Sequence, residues 1–559
     1  MKNNTLNVPE ARNLRRVGAT AAPYLLAILS GVMISLGWFT PCPTLVMLVS
    51  IVPLLFAENL IANDSKKAKL LRVGLLAFIY VYLQDLFILY PLTLLLKKWT
   101  FLIFCCNSLL YAFLFALFSL VKRKCGNRWG CISFVAFSVL FDFIMQNIDA
   151  SFPAIPMGWM LIGMNETGLP FMQWYEYTGL LGGSVWILTV NVIAYILIWN
   201  RIEKKKLNVP LLSAFIAIVV LPIALSLVLY GTYKEKKDPV NFVLVQPNIN
   251  PYSEKQSLGL AIQCDKMVSL ARAYADAETD YIVFPETALD NNFWYNNLNE
   301  NDMIVYLRDS VMAAYSEANL ITGAMMLQYF MAVAPPSRDA MVAGENLYIQ
   351  MYNAVFQIAN GYPVQVYKKE KLVPLTEHSP FKKKWNRSLN GSQEYNLARG
   401  EKQNILRSAT AKMGAFVCYE SMFASYCAKF ADMGADIYCM ITNDGWWLDT
   451  GLPVAHLRHA QVRAIENRRS LARCGNTGIT AGIDQRGRIV AQTPWWEPTA
   501  LKVTLNKNRT KTLYTQWGDY IGVISVLFSL LVITLTIYKL IATSRPVQSA
   551  GSIGKDRKS

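Results

Sequence analysis

The stretch VPLLSAFIAIVVLPIALSLVLYG, residues 209–231, carries no charged side chain. A transmembrane helix needs about 20 mostly apolar residues, so this stretch is long enough to cross a bilayer. Mostly apolar stretches of similar length lie on both sides of it, at 18–39, 42–62, 73–96, 99–121, 129–149, 171–199 and 519–541. The sequence therefore predicts a multi-span α-helical membrane bundle with eight spans, seven of them before a more polar region at 232–518.

The composition agrees with a membrane protein that also carries a large water-soluble part. The chain has 559 residues, of which 53% are hydrophobic and 16% charged, whereas soluble domains average about 25% charged residues. These values exclude a disordered chain, a collagen-like repeat and a small disulfide scaffold. We expect a transmembrane domain (1–231), an extramembrane domain (232–518), an eighth spanning helix (519–541) and a tail (542–559).

Basic residues beside the spans predict the orientation of the chain. Outside 232–518 the sequence contains 23 Lys and Arg, and 21 of them fall on one side of the predicted spans. Only Lys97 and Lys98 fall on the other side. Because cytoplasmic loops carry the excess of Lys and Arg, both termini are predicted to be cytoplasmic and the 232–518 domain extracytoplasmic. The same asymmetry accounts for most of the net charge of +16, so we predict no nucleic-acid partner.

Short β-rich runs alternate with helical patterns inside the extramembrane domain. Strands are predicted at 241–248, 281–286, 320–325, 352–359, 365–369, 414–420, 435–442, 478–484 and 500–505. Helices are predicted at 257–278, 299–318, 421–433 and 454–472. Strands that are apolar on both faces and alternate with helices are typical of a layered α/β domain.

Apolar residues also occur where a polar hairpin is expected. After the strand 320–325 come Tyr329, Phe330, Met331 and Val333. Two interpretations stay open: the strand extends and packs on its own domain, or the segment is an apolar arm directed toward the bilayer surface. A second candidate interfacial element combines Lys382–Lys384 with Trp385.

Three motifs lie at the ends of predicted strands, where α/β domains usually carry functional groups. The motif FPET (284–287) contains Glu286, and YKKEKLVPLTEHSPF (367–381) contains Lys369 and Glu377. The third motif, FVCYES (416–421), contains Cys418 near the end of an apolar strand. Each motif alone has a structural interpretation: the Cys as a small apolar residue, the Glu as a helix cap and the Lys as a solvated side chain.

The order and flanks of these three residues resemble the nitrilase superfamily of carbon–nitrogen hydrolases. The resemblance covers about 240–505 and also includes VQPNI (245–249), CYE (418–420) and ITNDGWW (441–447). It implies an α/β nitrilase-like four-layer αββα sandwich. Inserted between the seventh and eighth spans, this domain is similar to that of the apolipoprotein N-acyltransferase family. The chain departs from the pattern at Pro247, where Gly is common, in lacking a Trp just beyond it, and in PLTEH (374–378), where PFGE is expected.

The resemblance implies an acyltransferase of the bacterial inner membrane. The implied acyl donor is a membrane phospholipid, through its sn-1 chain, and the implied acceptor is the α-amino group of a diacylglyceryl-cysteine on a lipoprotein. The implied enzyme works at the lipid bilayer, has no cofactor and no metal, and is expected to be a monomer. The implied catalytic residues are Glu286, Lys369 and Cys418, and the implied supporting or substrate-binding residues are Glu377, Tyr419, Glu420, Asn443, Asp444 and Trp446.

Elementary chemistry gives each catalytic residue a role. A thiol attacks only after deprotonation, so Cys418 needs a base, for which Glu286 is the candidate. The carbonyl oxygen under attack gains negative charge, which the Lys369 ammonium and the Tyr419 backbone N–H would stabilise. The product is a thioester, which an amine converts into a more stable amide.

Other interpretations of the same residues stay open. The chain has three histidines, His378, His456 and His459, so a papain-like Cys–His pair or a metal site at the i, i+3 pair must be considered. A membrane-tethered amidase or nitrilase would use the same chemistry up to the thioester. A scaffold or transporter with an inert domain is a further alternative, although the spans contain few ionisable residues. Five of the ten cysteines lie in 232–518, and an odd number leaves at least one thiol unpaired.

Overall fold

The computed structural model describes residues 8–64, 67–148, 155–378 and 396–544. Among these residues, eight helical segments are long and apolar enough to cross a membrane. They run over Ala21–Phe39, Pro43–Ala62, Lys69–Leu96, Trp99–Cys125, Asn127–Asn147, Tyr175–Ile202, Val209–Thr232 and Tyr520–Ala542. The predicted eight-span α-helical bundle is therefore confirmed, and each span lies within a few residues of its predicted position.

The described residues up to Thr232 contain helices and no β-strand. Its helices are α1 (Val8–Phe39), α2 (Pro43–Met47), α3 (Val52–Ala62), α4 (Lys69–Leu89), α5 (Thr93–Leu96), α6 (Trp99–Cys125), α7 (Asn127–Asn147), α8 (Met157–Met160), α9 (Tyr175–Ile202) and α10 (Val209–Thr232). About two thirds of α9 is buried, whereas α10 is almost entirely exposed on its apolar surface. The span α10 therefore lies at the edge of the bundle, facing lipid.

Three buried carboxylates inside the bundle have polar partners. Asp85 accepts a hydrogen bond from Asn107 Nδ2 at 3.0 Å, and Asp142 accepts one from Ser184 Oγ at 2.6 Å. Glu58 forms an ion pair with Lys122 at 2.5 Å. Unpaired charges are costly in a low-dielectric interior, so these contacts make the polar residues compatible with a membrane-embedded core.

The rest of the described chain forms two β-sheets, five further α-helices and the helix that contains the last span. The strands are β1 (Pro239–Gln246), β2 (Tyr281–Val283), β3 (Leu289–Trp294), β4 (Asn319–Met331), β5 (Met341–Gly344), β6 (Leu347–Ile358), β7 (Gln365–Lys368), β8 (Leu406–Arg407), β9 (Lys412–Val417), β10 (Ile437–Thr442), β11 (Leu471–Gly475), β12 (Ala481–Ile483), β13 (Ile489–Gln492) and β14 (Thr499–Asn506). The helices are α11 (Leu260–Tyr274), α12 (Asp302–Leu307), α13 (Ala424–Asp432), α14 (Leu452–Asn467), α15 (Leu513–Trp517) and α16 (Tyr520–Ser544), which contains the eighth span.

The two sheets pack face to face between layers of helix. One sheet has the order β14-β1-β2-β4-β6-β5, with β3 paired to β4 and β7 to β6, and the other has the order β13-β12-β11-β10-β9-β8. Along β1, Phe242 and Leu244 pack into the core shared with the second sheet, while Val243 and Val245 pack on the other face with Met267 of α11. On the second sheet, α13 and α14 form the outer layer. This alternation confirms the predicted four-layer αββα sandwich.

Strand direction determines where functional groups meet. Strands β1, β2 and β4 are parallel to one another, as are β9, β10 and β11. The carboxyl ends of parallel strands lie at the same edge of a sheet, so residues that follow β2, β9 and β10 are brought to one edge of the sandwich.

Several predicted elements have different bounds in the structure, and for two of them a single backbone conformation gives the reason. The predicted helix 454–472 ends at Asn467, because Arg468 adopts a left-handed conformation with φ of 47° and Leu471 begins β11. The predicted strand 414–420 ends at Val417, because Cys418 has φ of 49° and begins a 3₁₀ turn, Cys418–Met422. Both changes depend on single backbone conformations that apolar periodicity does not reveal.

The apolar segment after strand 320–325 extends the sheet. Strands β4 and β6 stay paired from Leu320↔Ile358 to Met331↔Leu347. At the tip, however, Tyr329 is 44% exposed, Met331 73% and Val333 91%. The strand extension is therefore present, with the ring of Tyr329 6.3 Å from that of Trp294 in the same domain, while Met331 and Val333 at its tip are largely exposed. The other candidate interfacial element, Lys382–Trp385, lies outside the described residues.

Candidate active site

Cys418 lies on a sharp turn between β9 and α13. Its φ of 49° is unusual for a residue with a side chain, and such strain persists only where surrounding contacts hold it. Glu420 provides those contacts: its Oε2 accepts a hydrogen bond from the Val417 N–H at 2.8 Å, and its Oε1 accepts one from the Glu370 N–H at 2.8 Å. Glu420 thus ties the turn that carries Cys418 to the loop that carries Lys369.

Lys369 follows β7 and is buried between two carboxylates. Its N–H donates to the carbonyl oxygen of Asn353 at 2.9 Å, which places the residue one step beyond the β6–β7 pairing. Its Nζ lies 3.1 Å from Glu286 Oε1 and 2.9 Å from Glu377 Oε1. The ammonium is therefore paired twice inside the protein, and this pairing offsets the cost of its burial.

Asn353 is a further member of this cluster that the sequence analysis missed. Its Nδ2 donates to Glu286 Oε1 at 2.9 Å and to Glu377 Oε1 at 3.0 Å. It is 2% exposed and lies within the apolar strand β6. A lone Asn in an apolar strand was the available signal, since a buried amide needs hydrogen-bond partners.

Charge and burial act together on the two reactive groups. Burial alone would lower the pKa of Lys369, but the carboxylates of Glu286 and Glu377 raise it above its ordinary value. The surrounding protein desolvates the Cys418 thiol and raises its pKa, the Glu286 carboxylate raises it further, and the Lys369 ammonium lowers it. The sulfur, the carboxylate and the ammonium therefore interact electrostatically, and the resting sulfur is a thiol.

His456 supports the turn from the other side. Its Nε2 lies 3.0 Å from the carbonyl oxygen of Cys418, and its Nδ1 lies 2.9 Å from Asp444 Oδ1. Burial alone would raise the pKa of Asp444, but Arg473 and His456 lower it below its ordinary value. The described contacts of the His456 ring reach the carbonyl of Cys418 rather than its sulfur, so the geometry does not correspond to a papain-like Cys–His pair.

The other two histidines, His459 and His378, have contacts of their own. The His459 ring stacks on Trp159 with 4.5 Å between centroids, so it points away from the partners of His456. His378 lies 3.5 Å from Asp339. Among the described residues, no group of three or more His, Cys, Asp or Glu is arranged to hold a metal ion.

An apolar crevice connects Cys418 with the membrane bundle. Its volume is about 70 Å³. Its walls combine residues of the sandwich with residues of the spanning region, which are Ile88, Leu89, Leu92, Ile155, Trp159, Val373, Cys418, Tyr419, Met422, Trp447, Leu452, Ala455, His456 and His459. Cys418 thus lines an apolar space that the bundle and the sandwich form together.

Comparisons with known proteins agree with this architecture. The apolipoprotein N-acyltransferase N-terminal domain matches residues 30–193, and the carbon–nitrogen hydrolase domain matches residues 244–514. The apolipoprotein N-acyltransferase of Chlorobaculum tepidum is 28% identical and covers 89% of this chain and 93% of its own length. That of Geobacter metallireducens is 25% identical, with 91% and 94% covered. The chain belongs to the apolipoprotein N-acyltransferase family.

Solved structures with some likeness to the chain include members of the CN-hydrolase and nitrilase superfamilies. A CN-hydrolase superfamily protein of Xanthomonas campestris is 16% identical, covers 48% of this chain and 90% of its own, and has a TM-score of 0.34. A nitrilase superfamily member of Saccharomyces cerevisiae is 16% identical, covers 49% and 92%, and has a TM-score of 0.35.

The structure brings most of the residues singled out in the sequence to one place. Glu286, Lys369 and Glu377 are in direct contact, and Glu420 holds the turn of Cys418. Tyr419 is 4% exposed and lines the crevice.

In the motif after the nucleophile, ITNDGWW (441–447), Asn443 and Trp446 make contacts outside the crevice. Asn443 Oδ1 accepts hydrogen bonds from Asn476 Nδ2 and Thr477 Oγ1, each at 3.2 Å, so it fixes a loop. Trp446 packs edge to face on Tyr252 at 5.4 Å and is not among the crevice residues, whereas Trp447 is. Adjacent residues of a 3₁₀ turn point in different directions, and the sequence alone does not indicate which Trp faces the crevice.

Proposed function

We propose that the chain transfers an acyl chain from a membrane phospholipid to the α-amino group of the diacylglyceryl-cysteine of an apolipoprotein, through a thioester on Cys418. Membership of the apolipoprotein N-acyltransferase family makes the chain an acyltransferase and a multi-pass protein of the bacterial inner membrane. The observation that carries the detailed proposal is the crevice, in which Cys418 shares an apolar wall with Leu89 and Leu92 of the bundle. A thiol in such a position meets lipid chains before it meets water.

In the first half-reaction the phospholipid acylates the enzyme. Glu286 takes the proton of the Cys418 thiol, and the sulfur attacks the carbonyl carbon of the ester. The oxygen that gains negative charge is stabilised by the Lys369 ammonium and the Tyr419 N–H, and one such donor contributes about 3–4 kcal/mol. The C–O bond then breaks, the leaving alkoxide takes the proton from Glu286, and a lysophospholipid departs.

In the second half-reaction the lipoprotein amine attacks the thioester carbonyl. Glu286 accepts the proton that the nitrogen loses, the C–S bond breaks, and the sulfur recovers a proton as the amide is released. Lys369 stays an ammonium in both steps, because its two carboxylate partners raise its pKa. Glu377 and Asn353 are positioning residues, since both contact groups that contact the substrate.

The membrane-tethered amidase remains the second candidate, because its chemistry is the same up to the thioester. The crevice favours transfer. It has a volume of about 70 Å³, and apolar side chains of the bundle form part of its wall. A soluble amide substrate does not need such a wall. An inert scaffold is disfavoured, because the buried Glu286–Lys369–Glu377 cluster is costly to maintain without a function.

We further propose the orientation and the division of the chain. The excess of Lys and Arg supports cytoplasmic termini and an extracytoplasmic sandwich. The residues 232–518 would be the catalytic domain, preceded by a seven-span domain at 1–231 and followed by the span 519–541 and the cytoplasmic tail 542–559.

Single-turnover partitioning tests transfer against hydrolysis. Enzyme acylated with radiolabelled phospholipid is separated from the lipid and divided between buffer and buffer with a diacylated lipopeptide. We expect label to move to the lipopeptide much faster than it is lost to water, while an N-acetylated lipopeptide, which lacks the free amine, leaves the acyl-enzyme intact. Release of free fatty acid at the same rate in every sample would support the amidase instead.

A further inference from the structure

A basic pocket lies where the seventh span leaves the membrane, away from the crevice of Cys418. It is formed by the end of α10, the β12–β13 turn and the end of β14, and has a volume of about 520 Å³. Its charged lining residues are Lys234, Glu235, Asp484, Arg486 and Arg488. We call this the α10 pocket.

The α10 pocket lies beside the last turn of the span, where Arg486 contacts Tyr230. The guanidinium of Arg486 lies over the ring of Tyr230, 5.4 Å from its centroid, and Arg486 Nη1 donates to the carbonyl oxygen of Tyr230 at 3.3 Å. Tyr230 belongs to the apolar segment Val209–Thr232. Arg486 therefore lies at the depth where lipid headgroups meet acyl chains.

The three cations of the pocket outnumber its two carboxylates, and Arg486 is incompletely paired. Asp484 faces both Arg488, at 3.2 Å, and Arg486, at 3.6 Å. The longer distance exceeds that of a hydrogen bond, and Arg486 Nε has no hydrogen-bond partner among the described residues. The carboxylate of Glu235 accepts hydrogen bonds from two neutral amides, the Gln485 N–H at 2.7 Å and Asn506 Nδ2 at 2.9 Å.

The chain adds further positive charge at the same place. Lys234, Lys236 and Lys237 follow the span within a few residues and are exposed, and in the part of the chain that the structure describes none of them forms an ion pair. If the sandwich is extracytoplasmic, as proposed, these cations lie on the side where the positive-inside rule disfavours them. A favourable interaction with an anion would offset that cost.

We propose that the α10 pocket binds the phosphate headgroup of an anionic phospholipid whose acyl chains lie along α10. The exposed apolar surface of α10 provides the place for those chains. Arg486, Arg488 and Lys234 provide charge-assisted hydrogen bonds to the phosphate. This lipid is a bound component and not the acyl donor, because the pocket contains none of the catalytic residues.

Binding of a soluble short-chain lipid to the full-length protein in neutral detergent tests the proposal. Thermal unfolding is followed during titration with dihexanoyl phosphatidylglycerol, dihexanoyl phosphatidylcholine or inorganic phosphate. We expect phosphatidylglycerol to raise Tm with saturation, and the other two to have little effect. Lys234→Gln with Arg488→Gln, both at exposed positions, should weaken the apparent affinity about tenfold, the consequence of losing charge-assisted hydrogen bonds.

The matched control is Lys97→Gln with Lys98→Gln, which removes the same charge on the same side of the membrane and should keep wild-type affinity. Arg486→Gln is a second variant, measured by lipid adducts in native mass spectrometry if its unfolding is altered. Equal stabilisation by inorganic phosphate would assign the pocket to a free anion, and equal affinity in the pocket and control variants would overturn the site. Acyl transfer should be unchanged in the Lys234/Arg488 variant, so this result is separate from the test of the proposed function.

Discussion

Cys418 lines an apolar crevice, and the surrounding protein disfavours a negative charge on its sulfur. Desolvation raises the pKa of this thiol, and Glu286 raises it further. The thiolate therefore forms only as the substrate reacts, with Glu286 as the proton acceptor. This differs from cysteine enzymes that keep a thiolate in the resting state.

A thiol-modification profile tests this at the residue scale. Because only the thiolate reacts, the rate of Cys418 modification by methyl methanethiosulfonate should rise about tenfold per pH unit between pH 7 and pH 9. Peptide-resolved mass spectrometry gives the rate, with the 1%-exposed Cys439 as an internal control. A rate that does not change over this range would mean that the thiolate exists at rest.

Glu420 gives a second prediction at this scale. Burial raises its pKa from 4.5 to about 6, so the folded chain holds this proton more tightly than the unfolded chain. The resulting stabilisation is complete below about pH 4.5 and is lost as pH rises through 6, a difference of about 2 kcal/mol. The Tm of the wild type relative to Glu420→Gln should therefore fall between pH 4.5 and 6.5, and a Tm difference independent of pH would contradict the assignment.

The sequence predicts some residues of the site and not others for a physical reason. Glu286, Lys369 and Cys418 stand in short motifs at strand ends, so local patterns identify them. Asn353 contacts Glu286 across 67 positions of sequence, and His456 contacts the Cys418 carbonyl across 38. Those contacts arise from strand pairing and helix packing, which short motifs do not encode.

At the scale of elements, the short helix α8 joins the bundle to the sandwich. Trp159 of α8 stacks on Trp38 of α1 at 4.3 Å and on His459 of α14 at 4.5 Å. The Gly158 N–H donates to Ser184 Oγ at 2.9 Å, which fixes the helix against α9. Trp159 thus forms a wall of the crevice that is held from both sides.

Replacing Trp159 tests whether this wall guides the acyl chain. We expect Trp159→Ala to slow acylation of Cys418 more than tenfold, because loss of a buried Trp leaves a cavity and removes about 3–5 kcal/mol of packing. Trp159→Phe keeps a stacking ring and should stay within a few-fold of the wild type. Acylation is measured in a single turnover with labelled phospholipid. Wild-type rates in both variants would exclude the crevice as the path of the acyl chain.

Elements were predictable where their periodicity is long and regular. The membrane spans and the buried strands follow from apolar runs, but the predicted end of helix α14 lies five residues too far along the chain, because Arg468 ends the helix with a left-handed conformation. The exposed tip beyond Met326 is also not apparent from sequence, since apolar residues suggest burial. Its strand pairing was one of the two interpretations left open.

At the scale of the whole molecule, the orientation is the first prediction. A green fluorescent protein fused to the C-terminus should fluoresce, because that reporter folds in the cytoplasm, and an alkaline phosphatase fusion at the same position should be inactive. The opposite pair of results would contradict the orientation derived from Lys and Arg. Neither the crevice nor its link between Leu92 and Cys418 follows from the sequence, because no pattern connects residues of the two domains.

Acyl transfer through a thioester requires a covalent acyl-enzyme on Cys418, which intact-protein mass spectrometry detects as a gain in mass. Purified protein is incubated with a phospholipid of defined acyl chains and no acceptor, and Cys418→Ala is treated in parallel. We expect the wild type to gain the mass of one acyl chain, at Cys418 by peptide mapping, and Cys418→Ala to gain none. An unmodified wild type, or the same adduct on Cys418→Ala, would contradict it.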